Sequence, residues 1–315
     1  MARHASVLEL IGNTPVVDVS ALSPNPRVAM LVKLEGQNPG GSVKDRAALA
    51  MVLEAEKDGS LRPGQQILES SSGNTGIALA MIGRVKGYPV KIVLPDNVSV
   101  ERRQLLDVWG AEIVASPGSE GSNGAMRRAQ ALAAEHADWW FPYQYANPAN
   151  PQVHFETTGP EIWRDVPEVT HFVAGLGTAG TLMGVGRFLK GQNPAVQVWA
   201  VQPPAGEMVD GLKNLDEGFI PPVFTDNNGF ELLDRNRVVG PKESIEWVRR
   251  LATVGIFGGI STGAAAAGAA KCAAEIDEGV VVTIAADGGW KYLSTGAWTD
   301  DLDVVTERAK KVIYF

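Results

Sequence analysis

One cysteine among 315 residues excludes a disulfide within the chain. That residue, Cys272, lies in the small apolar stretch AAAAGAAKCAAEI, where a thiol is expected to fill helical core space. Histidine is scarce as well. His4, His136, His154 and His171 are scattered without an H-x-x-x-H pair, so zinc hydrolysis finds no ligand set and no metal is expected. Positive charge is in deficit: 28 Lys plus Arg stand against 36 Asp plus Glu, a formal net charge of −8. Nucleic acid would need a clustered basic face, and none is visible. Long apolar runs are missing too, since no stretch reaches the ~20 residues of a membrane-spanning helix. The opening MARHASVLEL lacks the apolar core of a signal peptide. These absences point to a soluble cytoplasmic protein that binds neither membrane nor nucleic acid.

What remains is ordinary globular composition, 45% hydrophobic and 20% charged, but with 35 glycines. Short apolar runs alternate with helical patterns almost from end to end. VAMLVKLE (28–35) precedes DRAALAMVLEAEKDG, QQILE (65–69) precedes GIALAMIGRVKG, and VKIVL (90–94) precedes SVERRQLLDVWG. AEIVA (111–115), THFVAG (170–175), VQVWAVQ (196–202) and EGVVVTIAA (278–286) continue the series. Such alternation predicts an α/β fold of mainly parallel sheets with helices on both faces. Ligands then bind beyond the carboxyl ends of the strands. The proline-rich joint QYANPANPQ (144–152) is the candidate lobe boundary.

Four loops at predicted helix starts stand out: NPGGSVKDR, ESSSGNTG (69–76), GLGTAGT (175–181) and GGISTGAA (258–265). GLGTAGT satisfies G-x-G-x-x-G, but a dinucleotide site wants an acid about 20 residues on. The next strand ends instead in Gln202 and two prolines. The loop's consecutive N–H groups suit a phosphate on a smaller cofactor, or its glycines merely allow close helix–strand packing. ESSSGNTG offers Ser70, Ser71, Ser72, Asn74 and Thr75, more donors than one helix cap needs and suited to a carboxylate. Capping remains the alternative there, and at Ser261.

Lys44 sits just past two glycines at the start of a helix, the wrong end of the macrodipole for a cation. Positive partial charge there lowers its pKa towards the nucleophilic amine, which can form a Schiff base with an aldehyde. Taken with a phosphate loop and a carboxylate loop, this makes pyridoxal 5′-phosphate the leading cofactor.

In order and spacing the four motifs resemble those of the fold-type II pyridoxal-phosphate enzymes, the tryptophan synthase β-like fold. Within these the sequence resembles the cysteine synthases, the O-acetylserine and O-phosphoserine sulfhydrylases, nearest to the O-phosphoserine (cysteine synthase B-like) group. IGNTP (11–15), SVERRQLLDVWGAEI (99–113), TTGPEIW (157–163) and KYLST (291–295) extend the likeness over nearly the whole chain. The resemblance implies that Lys44 is the Schiff-base lysine and that Asn74 meets the cofactor's ring hydroxyl. It implies that Gly177, Thr178, Ala179, Gly180 and Thr181 hold the phosphate, with alanine at 179 where many relatives have glycine. Ser261 is implied at the pyridine nitrogen, and Ser71, Ser72, Thr75 and Gln144 at the substrate carboxylate. It also implies a homodimer of two-lobed chains: 38–148 the smaller lobe, with a mobile part at about 90–135, and 1–37 plus 149–315 the larger.

The implied reaction replaces the β-substituent of an activated L-serine by sulfide, or by a donor such as a sulfur-carrier protein, to give L-cysteine. A cystathionine β-synthase, a serine or threonine dehydratase, or a cofactor-free binding protein of the same fold remain alternatives. In GLKNLDEGF (211–219), Lys213 stands where similar O-phosphoserine enzymes carry arginine, so it is expected to favour a phosphate leaving group. Otherwise it is a surface lysine neutralised by Asp216 or Glu217.

Overall fold

A computed structural model describes residues 3–71 and 73–309. The first half of the chain runs β1 (Val16–Asp18), β2 (Val28–Leu34), α1 (Lys44–Asp58), β3 (Ile67–Ser70), α2 (Asn74–Lys86) and β4 (Val90–Pro95). It continues through α3 (Val100–Val108), β5 (Glu112–Ser116), α4 (Gly121–Glu135), α5 (Ala149–Val153) and α6 (Gly159–Asp165). The second half holds β6 (His171–Gly175), α7 (Gly180–Gln192), β7 (Gln197–Gln202), α8 (Pro222–Thr225), α9 (Gly229–Leu232) and β8 (Arg235–Val238). It closes with α10 (Pro241–Thr253), α11 (Ile260–Glu275), β9 (Gly279–Ala285) and α12 (Leu302–Ala309).

Two sheets result. The larger has the order β1-β2-β9-β6-β7-β8, and the smaller β3-β4-β5. Every pairing is parallel except β1 with β2. The apolar runs become the central strands because burial on both faces removes the need for polar alternation. Val281, Val282, Phe172, Val173, Val198 and Val201 are accordingly buried.

Two edge strands escape the sequence pattern. The first, β1, is three residues long, and β8 reads RNRV, too polar and exposed to show as an apolar run. Its Arg235 and Arg237 lie over the ring of Trp199, at 5.4 and 4.6 Å from the centroid. Charged side chains on an edge discourage further strand pairing.

Small residues bring helices close to the sheet. A Cβ on Gly268 of α11 would stand 2.3 Å from Val201 Cγ2, and one on Gly263 would stand 2.1 Å from the Ser244 carbonyl of α10. Cys272 is buried in α11, and burial pushes its thiol up to about 12, as expected of a core residue. No described helix is long and apolar enough to cross a membrane.

The carboxyl ends of β2, β9 and β6 open towards the carboxyl end of β3, and the glycine-rich loops leave from these ends. A buried ion cluster anchors α1 there. Arg46 donates to both oxygens of Glu35 (2.8 Å each) and both of Glu161 (2.7 Å each), and Lys33 pairs with Glu161 at 2.8 Å. One guanidinium thus ties together the end of β2, the first turn of α1 and α6, two residues after Lys44.

Candidate active site

The Lys44 loop is built by two different glycine requirements. Gly41 has φ +79°, a left-handed conformation that side chains disfavour. Gly40 has no room for one: a Cβ would stand 2.6 Å from Asp45 Oδ1, and its N–H donates to Asp45 Oδ2 at 2.5 Å. The chain then turns into α1 with Val43 N–H donating to the Ala286 carbonyl at 2.8 Å, just past β9. Lys44, first residue of α1, therefore faces a cleft between the two sheets.

Lys44 is half-buried there, and burial lowers its amine pKa below the ordinary lysine value, with Asp287 pulling the other way. The expected cause was helix-terminal partial charge. Desolvation is instead the leading cause.

The cleft, about 1160 Å³ with its open mouth included, gathers most of the predicted residues. Lys44, Ser71, Asn74, Thr75 and Gln144 line it from one side, and Gly177, Thr178, Thr181, Lys213 and Ser261 from the other. Ala179 and Gly180 begin α7 behind that wall. Ser72 lies outside the described residues.

Among the described residues, neither polar loop supplies its helix with a side-chain N-cap. Gly73 precedes α2 and Gly259 precedes α11, and neither helix has a side-chain cap. Thr75 instead donates to Gln144 Oε1 at 2.7 Å. Asn150 Nδ2 donates to the Gln144 carbonyl (3.0 Å) and to Thr178 Oγ1 (2.9 Å), so one amide joins the two walls.

The 175–181 loop has the shape of an anion cradle. Ala179 adopts φ +71°, and Thr178 Oγ1 accepts the Gly180 N–H at 3.3 Å. A Cβ on Gly177 would stand 2.5 Å from the Gly211 carbonyl, and one on Gly180 would stand 2.0 Å from Asn150 Oδ1. Close approach therefore requires these glycines. Thr181 Oγ1 lies 3.2 Å from His154 Nε2, and burial, followed by the Arg46 and Lys44 charges, holds that imidazole's pKa well below normal. It stays neutral. Loop N–H groups, threonine hydroxyls and a nearby amine of lowered pKa fit a phosphorylated aldehyde.

Lys213 is a cleft-wall residue. It is half-buried, its Nζ 6.0 Å from the centroid of the Tyr145 ring, and burial lowers its pKa while Glu217 opposes. Asp216 accepts from Gln202 Nε2 (3.2 Å) and Glu217 from the Gly206 N–H (2.6 Å).

Several residues at the cleft went unassigned in the sequence. Arg102 of α3 pairs with Asp210 and lies over the Tyr292 ring, 4.7 Å from its centroid. Asp287 Oδ2 accepts from Asn74 Nδ2 (2.8 Å) and from the Tyr292 hydroxyl (2.5 Å). Glu69, buried beside Ser70, is pushed up to about 8 by desolvation. SVERR and KYLST carried the only signal for Arg102 and Tyr292, as stretches shared with relatives.

A parallel α/β fold with a desolvated lysine beside an anion cradle defines a covalent cofactor enzyme. The sequence pattern of the "Pyridoxal-phosphate dependent enzyme" family matches residues 7–287. Cysteine synthase B of Salmonella typhimurium is 43% identical over 295 residues, covering 93% of this chain and 96% of that one. Among solved structures, an O-ureido-L-serine synthase superposes with TM-score 0.87 at 40% identity, covering 94% and 96%. A cysteine synthase of Entamoeba histolytica gives TM-score 0.86 at 33% identity, covering 98% and 96%. The chain belongs to the pyridoxal-phosphate-dependent enzymes and, within them, to the cysteine synthase family.

Proposed function

We propose that this enzyme makes L-cysteine by β-replacement on an activated L-serine, taking O-phosphoserine in preference to O-acetylserine. The observation that carries the reading is Lys44, desolvated in one cleft between a glycine–threonine cradle and a hydroxyl–amide loop. Relatives named cysteine synthase support it over cystathionine or dehydratase chemistry.

When bound, the cofactor supplies the electron sink, and the chain supplies orientation and proton transfer. Backbone N–H groups of 177–181 with Thr178 and Thr181 would hold the phosphate, and Ser261 would present a neutral hydroxyl to the ring nitrogen. Asn74 Nδ2 would donate to the ring hydroxyl. Ser71, Ser72, Thr75 and Gln144 hold the substrate carboxylate, which orients the Cα–H bond. Lys44 Nζ, whose pKa burial lowers towards the free amine, is the base that takes the Cα proton. The leaving group departs from Cβ with its electron pair, and sulfur forms the new bond there. Lys213 offers a cation to a leaving group of nearly two negative charges.

The same reading divides the chain into the lobes 38–148 and 1–37 plus 149–315, with about 90–135 closing on substrate. Arg102, inside that segment, already reaches Asp210 across the cleft, which supports such a closure. The enzyme is read as a cytoplasmic homodimer, using sulfide or a sulfur-carrier protein as donor. Cysteine formation from sulfide with O-phosphoserine and O-acetylserine in turn tests the function. No cysteine from either would refute it.

A further inference from the structure

Lys291 is a further lysine, buried behind the cleft wall and only 1% exposed, in the turn Gly289–Thr295 after β9. Its Nζ donates to Asn74 Oδ1 at 2.6 Å and to the carbonyls of Gly40 and Gly41 at 3.0 and 3.1 Å. An ammonium has three donors and no acceptor, so these three oxygens use all of its hydrogens.

On the other side of the amide, Asn74 Nδ2 donates to Asp287 Oδ2. The two ends of an asparagine amide are nearly the same shape, and the hydrogen-bond partners decide which end lies where. Here a pure donor on one side and a carboxylate on the other permit one orientation. It leaves the second Nδ2 hydrogen for a ligand.

We propose that Lys291 is a positioning residue: by clamping the Asn74 amide and the Gly40–Gly41 turn ahead of Lys44, it sets the register between the two loops that grip the cofactor. The inference rests on the roles given above to Asn74 and Lys44. The clamp has a charged environment to match. Desolvation lowers the Lys291 pKa, Asp287 and Asp45 raise it, and Arg102 adds to the lowering. The turn is gripped from both sides, by Lys291 on its carbonyls and by Asp45 on the Gly40 N–H.

The test compares wild type, K291M, K291R and N74A as holoenzymes, reading the cofactor's visible absorbance band and its dissociation constant alongside thermal stability. K291M is expected to shift the band and weaken cofactor binding about tenfold, equivalent to one buried hydrogen bond of about 1.4 kcal/mol. K291R, which keeps the donors, is expected to restore both at least in part. A K291M enzyme that melts earlier but keeps the wild-type band and affinity would reduce Lys291 to a structural brace and overturn the proposal. N74A separates the two layers. A shifted band in N74A with an unchanged K291M sinks only the Lys291 inference. An unchanged band in N74A sinks the Asn74 reading and the inference with it. Should K291M not fold, K291Q, which still offers an amide donor, takes its place in the same comparison.

Discussion

Thr75 and Gln144, 69 residues apart in sequence, meet in the hydrogen bond from Thr75 Oγ1 to Gln144 Oε1. The first residues of α2 are thereby joined to the turn that precedes α5, and the Gln144 carbonyl is held in turn by Asn150. Because Gln144 accepts through Oε1, its Nε2 hydrogens are the donors it can offer a carboxylate. Gln144→Ala is expected to raise KM for the amino-acid substrate about tenfold, as expected for losing one hydrogen bond to a charged group, with a smaller change in kcat. Steady-state kinetics decide it, and an unchanged KM would remove Gln144 from the carboxylate site.

Lys213 offers a sharper discrimination. Lys213→Ala is expected to lower kcat/KM for O-phosphoserine roughly 10- to 100-fold, about 1.4–2.8 kcal/mol of transition-state stabilisation. O-acetylserine, with a neutral leaving group, is expected to suffer much less. Equal losses on both substrates would show that Lys213 does not select the leaving group.

Stability carries its own pH signature. Burial pushes the Glu161 carboxyl up, but the Arg46 hydrogen bonds and charge, with those of Lys33, outweigh it and hold the pKa at about 2. The folded value lies below the ordinary 4.5. The associated stability is therefore fully present above pH 4.5 and is lost as pH falls towards 2. Urea unfolding of wild type should show this loss, and Glu161→Gln should flatten the slope in that window. Removing Arg46 would leave the buried Glu35 carboxylate without its cation and Glu161 with Lys33 alone, so Arg46→Met is expected to cost about 3–5 kcal/mol.

The strained residue in the phosphate loop predicts a gain. Ala179 at φ +71° pays a left-handed penalty that glycine avoids, about 1 kcal/mol. Ala179→Gly is expected to raise the melting temperature by a few degrees at most, with cofactor affinity kept because the backbone donors are unchanged. A lower melting temperature would mean that the buried Ala179 methyl contributes more than the strain costs.

The legible part of this protein was whatever local chemistry dictates. Gly40 and Gly41 announced a tight approach to Lys44, and the surplus hydroxyls of 70–75 announced more than a cap. Central strands such as Val28–Leu34 and Gly279–Ala285 stood out because both faces are buried. The edge strand RNRV did not, because its stabilising contacts lie on a tryptophan 36 and 38 residues away. Lys291, Asp287, Asp210 and Arg102 were also out of reach. Each looks like an ordinary surface charge until folding buries it against a partner from another segment. The cause of the lowered Lys44 pKa was hidden for the same reason, since desolvation is a property of the folded cleft and the helix start alone does not reveal it.

The central claim is that Lys44 carries the cofactor. Borohydride reduction of the holoenzyme followed by peptide mapping tests it most directly. The account predicts a pyridoxyl label on Lys44 and its absence in Lys44→Ala; a label on Lys291, Lys213 or any other lysine would contradict it.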